Sequence, residues 1–377
     1  MIKNKHYLNS QIITYLGNKR KIIPYLEDII TQIKGSLHKD KIVAMDGFAG
    51  SGIVSRMLKE HSSLLVSNDI EPYCFTLNSC YLANKSEINI SLIHNYIDAL
   101  NDNSNYGTNV SYVRKHWCPA DDNNIQLGER VYYTNQNGYI IDNIREMIEH
   151  QIPYQYKPFL LAPLLVKTSI HTNTGGIFNS FYKKEGKGHF GGKNENNLDR
   201  IKKPIRLDPP IFSKNECPVI IKQEDTNQLI HTINKEIGHV FDVVYYDPPY
   251  NKHPYGTYYF MLNIINQWEK EKPVPDNFRG QDNDWFRSKY NSKRYAEDAL
   301  NHLIKYTQSK YIILSYNNKG IIPIKQFKEI LSSYGDLTMV PVTHKTYNRL
   351  IGQSSYKKKS SKSPIKEYIW VLRVYAP

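Results

Sequence analysis

The sequence predicts an α/β fold on a mostly parallel, doubly wound sheet, and three stretches carry that prediction. Phe241-Asp242-Val243-Val244-Tyr245-Tyr246 is the β-branched and aromatic kind of run that forms a strand buried on both faces. Lys41-Ile42-Val43-Ala44-Met45 is a second such run, followed by the turn Asp46-Gly47-Phe48-Ala49-Gly50-Ser51-Gly52 and a helical stretch from Ile53 to Glu60. Leu64-Leu65-Val66-Ser67 reads as the next strand, ending in Asn68-Asp69, so strand, turn, helix and strand follow one another as a βαβ unit.

Composition bounds what such a fold is for. With 377 residues, 40% hydrophobic and 23% charged, the chain has material for one large domain plus an insert. Lys and Arg outnumber Asp and Glu by 49 to 36, a net charge of +13 and a pI near 9.2, which favours a polyanionic partner such as nucleic acid. The four cysteines, Cys74, Cys80, Cys118 and Cys217, show no C-x-x-C spacing and suit a reduced cytoplasm better than disulfides or zinc. No signal peptide is read at the start, and no apolar run approaches the roughly 20 residues that span a bilayer. The expectation is a cytoplasmic protein with no membrane partner. No internal repeat is visible, and the 30 tyrosines read as coding bias.

Taken in order, Tyr15-Leu16-Gly17-Asn18-Lys19-Arg20-Lys21 precedes an apolar-periodic segment from Ile22 to Ile33 that should be helical, with Pro24 tolerated near its start. A turn delivering Lys19 and Arg20 to a helix start suits a carboxylate or a phosphate, or simply solvent. The glycines of the 46–52 turn let the backbone approach a ligand closely. Asp69 follows Asp46 by 23 residues, near the roughly 20-residue spacing at which an acid bonds a ribose hydroxyl. The turn is not G-x-G-x-x-G, so a nucleoside site is expected rather than a pyrophosphate site.

Tyr246-Asp247-Pro248-Pro249-Tyr250 falls at the carboxyl end of its strand, the edge where open α/β sheets bind ligands. Each proline fixes its own φ and biases the residue before it towards extended geometry, so the Asp247 side chain and neighbouring carbonyls form a fixed set of acceptors. An exocyclic amine can donate to that set while Tyr250 offers a ring face to a planar base, and the amine's lone pair then points at an electrophile. The same residues also suit a plain turn or a polyproline ligand.

Together these motifs resemble the Dam-like, alpha-group adenine-N6 DNA methyltransferases, in the order that group uses. The resemblance covers about residues 10 to 98 and 218 to 375. It implies a Rossmann-like class I methyltransferase fold that moves a methyl group from S-adenosylmethionine to N6 of a flipped adenine in duplex DNA, leaving S-adenosylhomocysteine, without a metal. Tyr15 and Lys19 would contact the cofactor, with Asp46, Phe48, Gly50 and Gly52 around its methionine part. Asp69 would hold the ribose, Ile70 would lie beside the adenine ring, and Asp225 of Gln223-Glu224-Asp225-Thr226 would bond that ring. Asp247, Pro248, Pro249 and Tyr250 match the catalytic D-P-P-Y, with Asp247 also facing the cofactor. Ser315-Tyr316-Asn317-Asn318, after the strand Tyr311 to Leu314, and the closing strand Glu367 to Leu372 match later sheet motifs. Gly47 stands where a proline is common, and Asn18 where Gly or Ser is.

The expected division is an N-terminal half over residues 1–98, an inserted target-recognition region over 99–217 and a C-terminal half over 218–377. The insert opens with aromatic residues suited to helical packing (Tyr112, Trp117, Tyr132, Tyr133, Tyr139). From Lys167 it turns basic and polar, through His171-Thr172-Asn173-Thr174-Gly175-Gly176 to Lys183, Lys184, Lys187, Lys193 and Arg200, residue types suited to phosphates and base edges. Leu337 to Lys366 carries no Asp or Glu and reads as a basic loop, with Lys357 and Lys358 candidates for phosphate contacts. A monomer is expected, with double-stranded DNA as partner and any restriction endonuclease a separate protein. An RNA adenine methyltransferase, a protein-glutamine methyltransferase and an inactive DNA-binding scaffold are the alternatives. Asp247, where the first two usually carry Asn, and the basic insert argue for DNA.

Overall fold

The apolar runs become strands of one seven-stranded sheet. These are β1 (Ile42–Asp46), β2 (Ser62–Asn68), β3 (Val219–Lys222), β4 (Phe241–Tyr246), β5 (Ser309–Asn317), β6 (Gly335–Val342) and β7 (Glu367–Val374). The computed structural model describes residues 5–107, 110–192, 195–342 and 366–375. The order is β3-β2-β1-β4-β5-β7-β6, parallel from β3 to β5, with β7 antiparallel to both β5 and β6. From β1 the chain continues to one side of the sheet, and from β4 to the other. The β1/β4 pair is therefore a topological switch point, and a crevice opens outside its carboxyl ends.

Among the described residues the helices of eight residues or more are α1 (Ile23–Ser36), α2 (Ile53–His61), α3 (Pro72–Tyr81), α4 (Ile90–Asn101), α5 (Asn135–Gln151), α6 (Lys157–Ile170), α7 (Phe260–Gln267), α8 (Ala296–Tyr306) and α9 (Ile324–Ser332). Alternating strand residues divide between the two faces, as period-2 side chains must. Ala44, Leu65, Val243 and Ile313 pack with α1 and α2 on one face, whereas Met45, Val66, Val244 and Ile312 pack with α8 and α9 on the other. Asp242, a charge inside a central strand, is 1% exposed at its side chain and holds Lys39 at 2.7 Å and Lys310 at 3.0 Å. It also accepts the Val43 N–H at 3.0 Å, which ties the start of β4 to β1.

A third core joins α3, α4 and α7 to the inserted helices α5 and α6. The expected boundary at residue 98 falls inside α4, so the insert grows out of the same packing as the sheet's own helices. Its polar stretch also differs from expectation. Thr172, Asn173 and Thr174 are buried, because their side chains are needed inside. Thr172 donates to the Tyr132 carbonyl and Asn173 to those of Val131 and His189, satisfying loop backbone that would otherwise be buried without partners. Residues 337–342, read as the start of a loop, belong instead to edge strand β6.

One buried side chain gathers several carbonyls of the N-terminal segment. Arg56 on α2 donates to the carbonyls of Tyr7 (2.9 Å), Ser10 (2.9 Å) and Gln11 (3.1 Å), and its guanidinium lies 4.2 Å from the Tyr81 ring centroid. The chain runs on to Leu16, whose N–H reaches the Tyr259 hydroxyl at 2.6 Å. Arg56→Met fills similar space but orphans those carbonyls; it should lower unfolding free energy by about 3 kcal/mol in urea melts and release the N-terminal segment to limited proteolysis. Unchanged stability and protease resistance would show that the segment is held by other contacts.

Candidate active site

The residues at the carboxyl ends of β1, β2, β3 and β4 meet in a cleft that opens to solvent at its mouth. Of the residues singled out from sequence, Tyr15, Phe48, Asp69, Ile70, Asp225, Asp247 and Pro249 line it, joined by Glu71, Thr226, Asn227, Tyr255, Phe286 and Tyr290. Aromatic and aliphatic walls with a few convergent carboxylates are what a nucleoside-sized ligand needs.

Each wall has a local cause. After β1 the chain turns through Gly50 at φ +51° and Gly52 at φ +78°, where L side chains are strained, and a Cβ on Gly50 would sit 2.9 Å from the Tyr15 ring. Gly47 is accounted for by its neighbour: a Cβ there would come within 2.5 Å of the Tyr246 ring, so the tyrosine occupies the room a proline would need. Asn68 at the end of β2 donates to the carbonyls of Gly47 (3.2 Å) and Glu224 (3.0 Å), clamping the β1 and β3 loops together. Asp69 accepts the Gly50 N–H at 2.7 Å and the Glu71 N–H at 3.0 Å, which fixes its carboxylate and leaves lone pairs facing the cleft. Asp225 caps the short helix Thr226–Leu229 by accepting the Asn227 N–H at 2.8 Å.

Tyr15 packs near-parallel against both Tyr255 (5.2 Å, 19°) and Tyr259 (5.0 Å, 14°), which lie 6.2 Å from each other. Neither partner was singled out from sequence, although their i, i+4 spacing was the available signal. Phe48 meets Tyr246 and Tyr290 edge-on at 5.9 and 5.7 Å. Asp46 differs from expectation: it lies beneath the turn, fully buried, accepting from Ser55 Oγ at 2.7 Å, while its Oδ1 has no hydrogen-bond partner. Burial pushes its carboxyl up to about 7 against the pull of that Ser55 hydrogen bond.

Lys19 sits in a separate 3₁₀ turn, Lys19–Lys21, one turn before α1, with the Asn18 side chain capping it. Its ammonium, 5% exposed at the side chain, stands 3.1 Å from Asp247 Oδ1 and 2.7 Å from Glu367 Oε1. It is also 3.5 Å from the Tyr250 hydroxyl. Tyr250 packs edge-on against Tyr316 at 5.7 Å, and Pro248 is buried behind it. Burial raises the Asp247 carboxyl to about 6, with Lys19 lowering it and Glu367 raising it further.

Of the basic candidates, Lys183, Lys184 and Lys187 project from a two-stranded hairpin whose turn, Glu185-Gly186, has positive φ at both residues. The Lys183 ammonium lies 3.7 Å from the ring centroid of exposed Phe278. Arg200 turns inward: it donates to the carbonyls of Ile170, Thr172 (2.8 Å) and Thr174 (3.3 Å), so its guanidinium closes a loop where a phosphate contact was expected. Lys193, Lys357 and Lys358 lie outside the described residues. All four cysteines are buried and free. Among the described residues no cluster of three or more His, Cys, Asp or Glu is placed to hold a metal ion, and no helix is long and apolar enough to cross a membrane.

A sequence model of the D12 class N6 adenine-specific DNA methyltransferases matches residues 15–330. The chain is 29% identical over 368 residues to the type II methyltransferase M.NlaIII of Neisseria lactamica, a match covering 96% of this chain and 99% of that protein. It is 24% identical to M.CviAII of Paramecium bursaria Chlorella virus 1, over 90% of this chain and 94% of that one. With M.FokI of Planomicrobium okeanokoites the identity is 25% over 95% of this chain but only 52% of that protein.

The raised Asp247 carboxyl sets a sign for stability. The folded state holds that proton more tightly than the unfolded chain, so the contribution is full below the ordinary value of 3.8 and is lost as pH rises through about 6. Asp247→Asn, which keeps the shape without the charge, should match the parent's stability near pH 4 and exceed it by on the order of 3 kcal/mol near pH 7 in denaturant titrations. A difference that stays flat with pH would contradict a desolvated carboxylate.

Proposed function

The chain belongs to the D12 class N6 adenine-specific DNA methyltransferases, and from that membership we infer that it methylates N6 of an adenine flipped out of duplex DNA, with S-adenosylmethionine as donor. We propose that it is the modification enzyme of a restriction–modification pair or a solitary or phage methyltransferase. It would act as a monomer in the cytoplasm, with any cognate restriction endonuclease a separate protein. The observation that carries the site assignment is the convergence of Asp69, Asp225 and Asp247 on one cleft at the sheet's switch point.

The residues present fit the cofactor. Asp69 would accept hydrogen bonds from the ribose hydroxyls, Asp225 would accept from the adenine amine, Ile70 would lie beside the ring, and Phe48 would wall the methionine part. The Gly50 and Gly52 turn would let the methionine part approach the backbone. Tyr15, held in its tyrosine stack, closes the side of the site. The bound cofactor supplies the electrophilic methyl group and its leaving group.

An adenine inside a duplex is out of reach, so the nucleotide swings out at a cost of about a few kcal/mol in lost stacking and pairing. Tyr250 recovers part of that by stacking on the base. Asp247 and the Pro248 carbonyl would accept hydrogen bonds from N6 and so orient its lone pair. Holding both reactants in line is the main contribution to rate. Asp247 need not be a strong base, because the proton leaves an already alkylated, cationic nitrogen. Lys183, Lys184 and Lys187 hold phosphates, with Lys193, Lys357 and Lys358 assigned the same role on sequence alone.

Transfer of labelled methyl to duplex DNA, with RNA and protein acceptors alongside and the product digested to nucleosides, should yield N6-methyladenine in DNA. Label in RNA or protein instead would move the substrate. Asp247→Ala should abolish transfer while the protein stays folded, and near-native turnover would remove its assigned role. Lys183→Ala should weaken DNA binding and make the salt slope shallower by about 1.

A further inference from the structure

Lys19 links three groups of the site, and the tightest of its contacts is not with the motif. Its ammonium is 2.7 Å from Glu367 on β7, against 3.1 Å from Asp247 on the loop after β4 and 3.5 Å from the Tyr250 hydroxyl. Glu367 is the first residue of β7 and pairs in register with Asn317, the last residue of β5. One residue earlier, Lys366 exchanges backbone and side-chain hydrogen bonds with Asn318, so the backbone carrying Glu367 is pinned to the sheet. Lys19 itself stands on a short 3₁₀ turn, and Glu367 is the strand-borne group that fixes where its ammonium rests.

We propose that Glu367 is a positioning residue for methyl transfer: it anchors the Lys19 ammonium, so that Asp247 and Tyr250 keep their places while Asp247 stays free to accept from the substrate amine. Without that anchor the ammonium has a single carboxylate left to pair with. It closes on Asp247 and competes with the substrate amine for the same oxygens. This inference rests on the catalytic reading of Asp247.

The titratable groups facing this centre are Lys19 from the 3₁₀ turn, Asp247 and Tyr250 from the loop after β4, Tyr255 further along that loop, Tyr245 from β4, Asp46 from β1 and Glu367 from β7. Among them Glu367 pushes the Asp247 carboxyl up and Lys19 pulls it down. Removing the Glu367 charge therefore makes Asp247 more acidic.

The test is Glu367→Gln, which keeps length and an amide oxygen for Lys19 but removes the charge. The expected result is a kcat lower by about tenfold to a hundredfold, the scale of a small misplacement at the reacting centre. The KM for S-adenosylmethionine should change less than about twofold, as for an interaction that acts in the transition state alone. The acid limb of the rate profile should move to lower pH, a shift that mere loosening of β7 would not produce. On a Lys19→Met background, the same change should have little further effect on kcat, because Glu367 acts through the lysine. Glu367→Asp, which restores the charge on a shorter arm, should return the acid limb towards its original place. Unchanged kcat with an unmoved limb, or a loss that simply adds to that of Lys19→Met, would overturn the proposal. If the parent protein makes no N6-methyladenine, the functional reading fails first, and that outcome is distinct from either.

Discussion

A lysine ammonium that water scarcely reaches must have carboxylates beside it, and Lys19 meets two of them from strands far apart in sequence. With two carboxylates to one ammonium, losing either leaves a neutral pair, whereas losing Lys19 would leave two carboxylates crowded without a counter-charge. Much of the architecture keeps that meeting point in register. Arg56 holds the N-terminal segment against α2, the Tyr259 hydroxyl receives the chain at Leu16, and the parallel pairing of β4 with β5 and the antiparallel pairing of β5 with β7 bring the ends of β4 and β7 together. Asn68 does the same for the loops after β1 and β3.

The cleft is also short of positive charge. Burial raises the carboxyls of Asp46, Asp69, Glu71 and Asp247 above their ordinary range, and Lys19 is the one buried ammonium described beside them. Such crowding destabilises the fold at neutral pH and is tolerated where a ligand benefits. S-adenosylmethionine carries a sulfonium and an ammonium, which such a cleft accommodates better than it would a phosphate.

Much of this was legible in the chain because the motifs sit on strands with strong patterns. β4 has the bounds its apolar run predicted, and β1 and β2 differ from their runs by one or two residues at each end. Asp69, Asp225 and Asp247 meet because sheet topology gathers the carboxyl ends of parallel strands, which the βαβ order announces. The insert was harder. Asn173, Thr172 and Arg200 have the composition of a nucleic-acid contact, but their partners are loop carbonyls that a one-dimensional pattern does not reveal. Glu367 gave no signal as a partner of Lys19, since the pairing spans 348 positions and depends on the antiparallel return of β7.

The third core has a consequence for how such a chain tolerates exchange of its parts. Because α5 and α6 share their apolar contacts with α3, α4 and α7, the insert is welded to the scaffold and not clipped onto it. Transplanting residues 99–217 between relatives would cut through packed side chains such as Trp117, Tyr132 and Phe260 and leave voids on both sides of the seam. Change is easier at the exposed tip of the hairpin, Lys184 to Lys187, whose side chains face solvent.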